Sequence, residues 1–359
     1  MSIFEWGQKK STMYHKAAIL WTTFIGIWMM IVPANADLIV LAAPTTDDPY
    51  YADVQDNIFD FHVEFAKRIN DGDKVLILTD KHAYNRYEET LGPNMVAVAP
   101  MSDIWMRDFS TSNSMFPVMF RYTAEGQGGG RQGQRDADSV QDKLAILAQK
   151  AGLSFTETNL LNDGGNFVDD YDGNIVVSRK FLRDNRLKEA EGRAALLKLT
   201  GALNVAFIEA DEQGGLEHAD GVVSFIGTNT LIINSYPDDP EYAKQLKLDL
   251  RRGLPGTKIH EIIAPYDGTK IYDDRFGSAY GLYTNALVTA NHIYLPQFGI
   301  PEDNVALEQV RSVSSKQVIP VPSHQVCHMG GGVRCMSWQL QGPNAVRLLE
   351  FFGKSGVSR

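Results

Sequence analysis

A pattern of β-hairpin, helix and strand recurs along this chain every roughly 50–60 residues, a spacing that marks radial or repeat architectures. One copy has a hairpin over 166–181 turning at Asp172-Gly173, a helix with Leu187, Ala190, Ala194 and Leu197 on one face, and a strand at 205–208. The next has a hairpin over 221–236, a helix with Tyr242, Leu246 and Leu250, and a strand at 259–264. A further copy has a hairpin over 283–298, a helix with Leu307, Val310 and Val313, and a strand at 317–321. Before these three, 112–122 reads as strand material, followed by a helix with Val140, Leu144, Leu147 and Ala151 and a strand near Phe155. A last copy opens at 333–340 and runs out of chain. Its missing pieces stand at the front: a strand at 38–43, a helix with Val54, Ile58, Phe61, Phe65 and Ile69, and a strand at 74–79. The pattern predicts an α/β ring of five units whose last unit is completed by the start of the chain. A generic α/β sheet with irregular strand order is the competing arrangement. Residues 123–138, rich in Gly and Gln, are expected to be a mobile loop, and 265–276 a second polar loop.

Composition fits a packed core. Of 359 residues, 44% are hydrophobic and 22% charged, and only two are cysteines, Cys327 and Cys335. Burial must therefore hold the fold, not a disulfide framework. The formal charge is −10, with no basic block, which disfavours nucleic acid and anionic membranes as partners and favours cationic ligands. Near the N-terminus, Lys9, Lys10 and Lys16 precede an apolar run over 17–32, and Ala34 and Ala36 follow. This predicts a secretory signal over 1–36, cleaved after Ala36, and a mature secreted or periplasmic domain over 37–359. The apolar run falls short of the roughly 20 residues a spanning helix needs. No stable membrane insertion is expected after cleavage; an uncleaved anchor is the alternative.

Polar residues gather where each hairpin begins: Trp105-Met-Arg107-Asp108, Asp163-Gly-Gly-Asn166, Glu217-His218-Ala-Asp220, Tyr283-Thr-Asn285 and Gly332-Val-Arg334-Cys335. If the units surround an axis, Asp108, Asp163, His218, Asp220, Asn285 and Cys335 converge on one cavity. Singly, each has an ordinary explanation, since Asp favours turns and an unpaired Cys behaves as a small hydrophobe. Together they suit a planar cation. Carboxylates fix the plane of a guanidinium through paired, charge-assisted hydrogen bonds. A thiolate then attacks its carbon, while a histidine protonates the departing amine and later activates water. This chemistry calls for no cofactor.

The motifs WMRD (105–108), DGGN (163–166), EHADG (217–221), YTNAL (283–287), PQFG (296–299) and GGGVRC (330–335) occur in order over essentially the whole mature chain. In them the chain resembles bacterial-type peptidylarginine deiminases and agmatine deiminases. The resemblance implies a pentein fold, a five-bladed α/β propeller of ββαβ units around a pseudo-fivefold axis. It also implies hydrolysis of a guanidino group to a ureido group with release of ammonia. By motif, Cys335 resembles the nucleophile, His218 the general acid/base, and Asp108 and Asp220 the guanidinium-binding carboxylates. Asn285, Asp163 and Asn166 are the expected substrate-binding residues, and Arg131 and Arg135 lie where a peptidylarginine deiminase holds a substrate carboxylate. The expected substrate is a peptidyl-arginine or arginine, with agmatine as the alternative. Arg334 stands where related sequences usually have His, and Gly332 where agmatine deiminases have Asn.

Rival readings use the same residues differently. His324, Cys327, His328 and Cys335 are four zinc-type ligands in a short span, and a Cys327–Cys335 bridge would silence the nucleophile. A non-catalytic pentein that only binds its ligand, and amidino transfer to an amine in place of water, complete the alternatives.

Overall fold

The computed structural model describes residues 37–69, 72–113, 116–210 and 216–354. The predicted secretory signal over 1–36 lies outside the described residues. From the front, the chain runs through β1 (Asp37–Ala42), α1 (Gln55–Ala66), β2 (Lys74–Thr79), α2 (Lys81–Leu91), β3 (Val96–Val98) and the short α3 (Met106–Phe109). Strand β1 is apolar without alternation because both of its faces are covered. Ile39 and Leu41 join one core with Ile58, Phe61 and Phe65 of α1. Leu38, Val40 and Ala42 point the other way, into a second core. Each large side chain so buried contributes about 1.5–3 kcal/mol. Helix α2 starts where the Asp80 carboxylate accepts the backbone N–H groups of His82 and Ala83 at 2.9 and 2.7 Å, an N-cap worth about 1 kcal/mol.

Next come β4 (Val118–Arg121), α4 (Gly130–Lys150) and β5 (Thr156–Leu161), with β4 and β5 parallel. The expected strand over 112–122 is confined to 118–121. The expected mobile loop over 123–138 is also corrected, because its second half is the first turns of α4. Arg131, Gln132, Gln134, Arg135 and Ala137 are good helix formers. Gly133 lets the helix lie against the backbone of 124–127: a Cβ there would stand 2.8 Å from the Ala124 carbonyl oxygen. The Arg121–Asp138 pair, at 2.7 Å, ties the new turns to β4.

Three units then repeat in the predicted order. They are β6 (Val168–Asp169), β7 (Asn174–Ser178), α5 (Lys180–Asp184), α6 (Glu189–Thr200) and β8 (Asn204–Ile208); β9 (Val223–Gly227), β10 (Thr230–Asn234), α7 (Pro240–Gly253) and β11 (Lys258–Ile262); and β12 (Leu287–Val288), β13 (His292–Gln297), α8 (Glu302–Val313) and β14 (Gln317–Pro322). In each, the hairpin is antiparallel and the strand after the helix returns parallel to the hairpin's second strand. The chain ends in β15 (Trp338–Gln341) and α9 (Gly342–Phe351), a helix that fills the stretch where the repeat was expected to run out. β15 pairs antiparallel with β1, Asp37 opposite Gln341, and β1 pairs parallel with β2. The last strand and the first segment therefore build one further unit of the same kind. Among the described residues the strands form five sheets, of which the β4–β5 sheet alone has two strands and no hairpin. The fold is mixed α/β.

Candidate active site

The hairpin entrances bring the site together through short, buried turns. Asp108 belongs to α3, whose Arg107 backbone N–H donates to the Cys335 carbonyl at 3.0 Å. That bond fixes the WMRD segment against the cysteine segment. Asp163 and His218 each precede a 3₁₀ turn, at Gly164–Asn166 and Ala219–Gly221. Cys335, His218 and Asp108 line one cavity of about 20 Å³ together with Trp105, Tyr122, Gly126, Leu216, Phe276, Met329 and Gly330. That volume holds about one water.

Cys335 is buried. Asn285 Nδ2 donates to its Sγ at 3.1 Å, and Asp220 Oδ2 lies 3.9 Å from the same sulfur. Burial, then Asp220 and Asp108, push the thiol well above its usual range, so the free site holds a neutral thiol. His218 Nε2 lies 3.0 Å from Asp163 Oδ2, and Nδ1 lies 3.7 Å from Asp108 Oδ1. Burial pulls the imidazole down, but Asp108 and then Asp163 more than offset it and raise it to about 9. Burial lifts Asp108 to about 7 despite the neighbouring His218. Asp163 moves the other way: burial pushes it up, but its hydrogen bond to His218, the charges of His218 and Lys180 and the Thr123 N–H together hold it below the usual carboxylate range. Two buried carboxylates thus differ in acidity because one is hydrogen-bonded to the imidazole and the other is not.

Gly165 makes the packing possible. Its N–H donates to Asp108 Oδ1 at 3.1 Å, and a Cβ there would stand 2.5 Å from His218 Nδ1 and 2.9 Å from Asp108 Oδ1.

Several expected substrate-binding residues do other work. Asn166 does not line the cavity: its amide donates to Asn162 Oδ1 and accepts the Ser178 N–H, pinning the turn to β7. Asp163 is spent on His218 and on the N–H and Oγ1 of Thr123, both at 2.8 Å, so it orients the imidazole and does not face the cavity. Arg131 and Arg135 are exposed on α4, away from the lining. The physical reason is helical: the buried face of α4 is Gly133, Ala137, Val140 and Gln141, which turns the arginines outward. Asn285 meets the sulfur directly. Asp220 is fully buried just outside the cavity lining, beside the Cys335 sulfur, and receives Arg334 Nη1 at 2.7 Å, an ion pair between distant segments that carries no local signal. The cavity-lining Tyr122, Leu216, Phe276 and Met329 were equally silent, since isolated apolar residues do not announce a wall.

The zinc-type residues are not gathered. Among the described residues no group of three or more His, Cys, Asp or Glu is arranged to hold a metal ion. His328 packs edge-on against Tyr272, and both thiols are free, so no Cys327–Cys335 bridge is present.

The sequence profile of the Porphyromonas-type peptidyl-arginine deiminase family matches residues 33–341. The agmatine deiminase of Pseudomonas fluorescens is 23% identical over 324 residues, 79% of this chain and 87% of that protein. Among solved structures, the agmatine deiminase of C. jejuni superimposes with a TM-score of 0.70 at 16% identity, over 86% of this chain and 94% of that one. That of Enterococcus faecalis gives 0.68 at 18% identity, over 86% and 94%. These likenesses establish a shared fold, and the profile covers most of the chain. The chain belongs to the Porphyromonas-type peptidyl-arginine deiminase family, enzymes that hydrolyse a C–N bond of a guanidino group.

Proposed function

We propose that this chain hydrolyses the guanidino group of a small alkylguanidinium of the agmatine type to a ureido group. The observation that carries the reading is that a thiol, an imidazole and a carboxylate, from Cys335, His218 and Asp108, line one cavity. Asp108 and Asp220 hold the guanidinium by charge-assisted hydrogen bonds. The bound cation lowers the cost of a thiolate that burial and the two carboxylates otherwise suppress, and the thiol proton is released to solvent as substrate binds. Sγ bonds to the guanidinium carbon, protonated His218 gives its proton to the departing nitrogen, and ammonia leaves. The neutral imidazole then takes a proton from water. The resulting hydroxide adds to the same carbon, the C–S bond breaks to return the thiolate, and the hydroxyl proton passes to the released ammonia, leaving the neutral ureido product. Asp163 anchors Nε2 and leaves Nδ1 for this traffic, while Asn285 steadies Sγ.

Two observations favour a substrate without a nearby carboxylate. The described residues lining the cavity include no arginine or lysine, and the curated relative above is named for agmatine. Trp105, Leu216, Phe276 and Met329 suit a methylene chain. In the same proposal the five units close into a pentein ring about a pseudo-fivefold axis, and 1–36 is a secretory leader. Coupled ammonia and ureido-product assays with agmatine, arginine, an N-acyl-arginine amide and an arginine peptide test the substrate. Agmatine is expected to give the highest kcat/KM. Faster turnover of the peptide moves the assignment to peptidyl-arginine, the substrate for which the family is named. No product from any of the four overturns it.

A further inference from the structure

Arg334 takes no part in the chemistry above, yet its guanidinium is buried beside the reacting groups, with both terminal nitrogens hydrogen-bonded. Nη1 donates to Asp220 Oδ2 at 2.7 Å and Nη2 to the Phe167 carbonyl at 2.6 Å. Oδ2 is also the oxygen 3.9 Å from Cys335 Sγ. The other oxygen, Oδ1, is buried and meets no donor among the described residues. The carboxylate is therefore divided, with one oxygen committed to an internal cation and the other unspent. A buried carboxylate is costly without a counter-charge. The charged or titratable groups that act on Asp220 are Arg334 and Cys335, Arg107 and Asp108 of α3, and His218. His218 lies between Asp163 and Asp108. Arg107 Nε donates to the Arg334 carbonyl, not to Asp220. That leaves Arg334 as the one cation hydrogen-bonded to Asp220 among the described residues.

We propose that Arg334 is a positioning residue: it supplies the counter-charge of Asp220 and holds it turned so that a single oxygen is free for the incoming guanidinium. The inference rests on the assignment of Asp220 as a guanidinium carboxylate. Substrate then gains one hydrogen bond from Asp220 and looks to Asp108 for the rest. A purely structural Arg334, tying the cysteine segment to Phe167, would change stability but not the charge the site presents.

The test labels Cys335 with chloroacetamidine, a cation, and with chloroacetamide, its neutral counterpart, between about pH 5 and 9. The rate ratio reads the negative charge beside the sulfur and needs no turnover. The wild type is expected to prefer the amidine. In Arg334→Met the preference falls about tenfold near neutrality, the size of one charge-assisted hydrogen bond. With agmatine, KM rises by a similar factor and kcat changes less. Arg334→Lys retains the preference to within about threefold, since it keeps the charge and loses the fork. Adding Arg334→Met to Asp220→Asn changes the ratio no further, as expected when one residue acts through the other. Should Arg334→Met fail to fold, Arg334→Gln serves as the neutral variant and is read the same way. An unchanged ratio at every pH in a folded neutral variant overturns the proposal. Normal ratios without product from any substrate would overturn the proposed function and leave this inference standing.

Discussion

Replacing Gly165 with alanine should damage catalysis through a single methyl group. Gly165 is not among the residues with positive φ, so its backbone accepts an L side chain without strain. The added Cβ would stand 2.5 Å from His218 Nδ1, 2.9 Å from Asp108 Oδ1 and 3.1 Å from His218 Cγ. Ordinary contacts between such atoms are about 3.5 Å or more, so the imidazole or the carboxylate must move by roughly 1 Å. His218 cannot swing freely, because Nε2 is held by Asp163 at 3.0 Å. Overpacking of this kind costs about 1–3 kcal/mol, which lowers Tm by several degrees in a domain of this size. A displacement of roughly 1 Å in an acid–base group costs about 100-fold in rate. The expected result is a folded protein whose kcat for ammonia release falls about 100-fold, with KM moving much less. Gly227→Ala is the control, since nothing stands within 4 Å of a Cβ there, and it should leave kcat unchanged. A Gly165→Ala enzyme within about threefold of wild type would refute the tight packing of Gly165, His218 and Asp108.

Three further outcomes follow from the same geometry. Cys335→Ala should form no ureido product, and mass spectrometry of wild type quenched during turnover should find the substrate adduct on Cys335; appreciable turnover by the alanine variant would exclude the covalent route. Asp108 is raised to about 7, so its protonated fraction grows as pH falls through neutrality; KM should climb below about pH 7, and a KM flat from pH 5 to 8 would remove Asp108 as a binding carboxylate. His218 is raised from 6.5 to about 9, so its contribution to stability is complete below about 6.5 and disappears as pH rises through 9, at most on the order of 3 kcal/mol. Urea unfolding of wild type against His218→Gln from about pH 6 to 10 reads that loss, and a pH-independent difference would contradict it.

The repeat was legible because it is written in local physics. Helical periodicity needs no distant partner to be recognised: Leu246 and Leu250 stand one helical turn apart and bury together in one core, with Tyr242 packed against it. Turns such as Asp172-Gly173 are equally local. Even the joining of β15 to β1 could be expected from pieces missing at one end and present at the other. The start of α4 was not legible, because Gly128, Gly129 and Gly130 signal a flexible chain and only the backbone of 124–127 gives Gly133 something to pack against.

The residue types of the site were likewise visible as polar insertions at hairpin entrances, but their roles were not. Asn166 and Asp163 look alike as candidates, yet one pins a turn to β7 and the other holds an imidazole. Arg131 and Arg135 sit in a suggestive stretch and face solvent because of the helix that carries them. Arg334 had no reading at all until Asp220, 114 residues earlier, came within 2.7 Å. Sequence by itself determined which groups are available and the repeat that carries them, since propensity and periodicity act over a few residues. Tertiary structure alone decided which cation neutralises which carboxylate, because desolvation and Coulomb energy depend on distances between segments far apart in the chain.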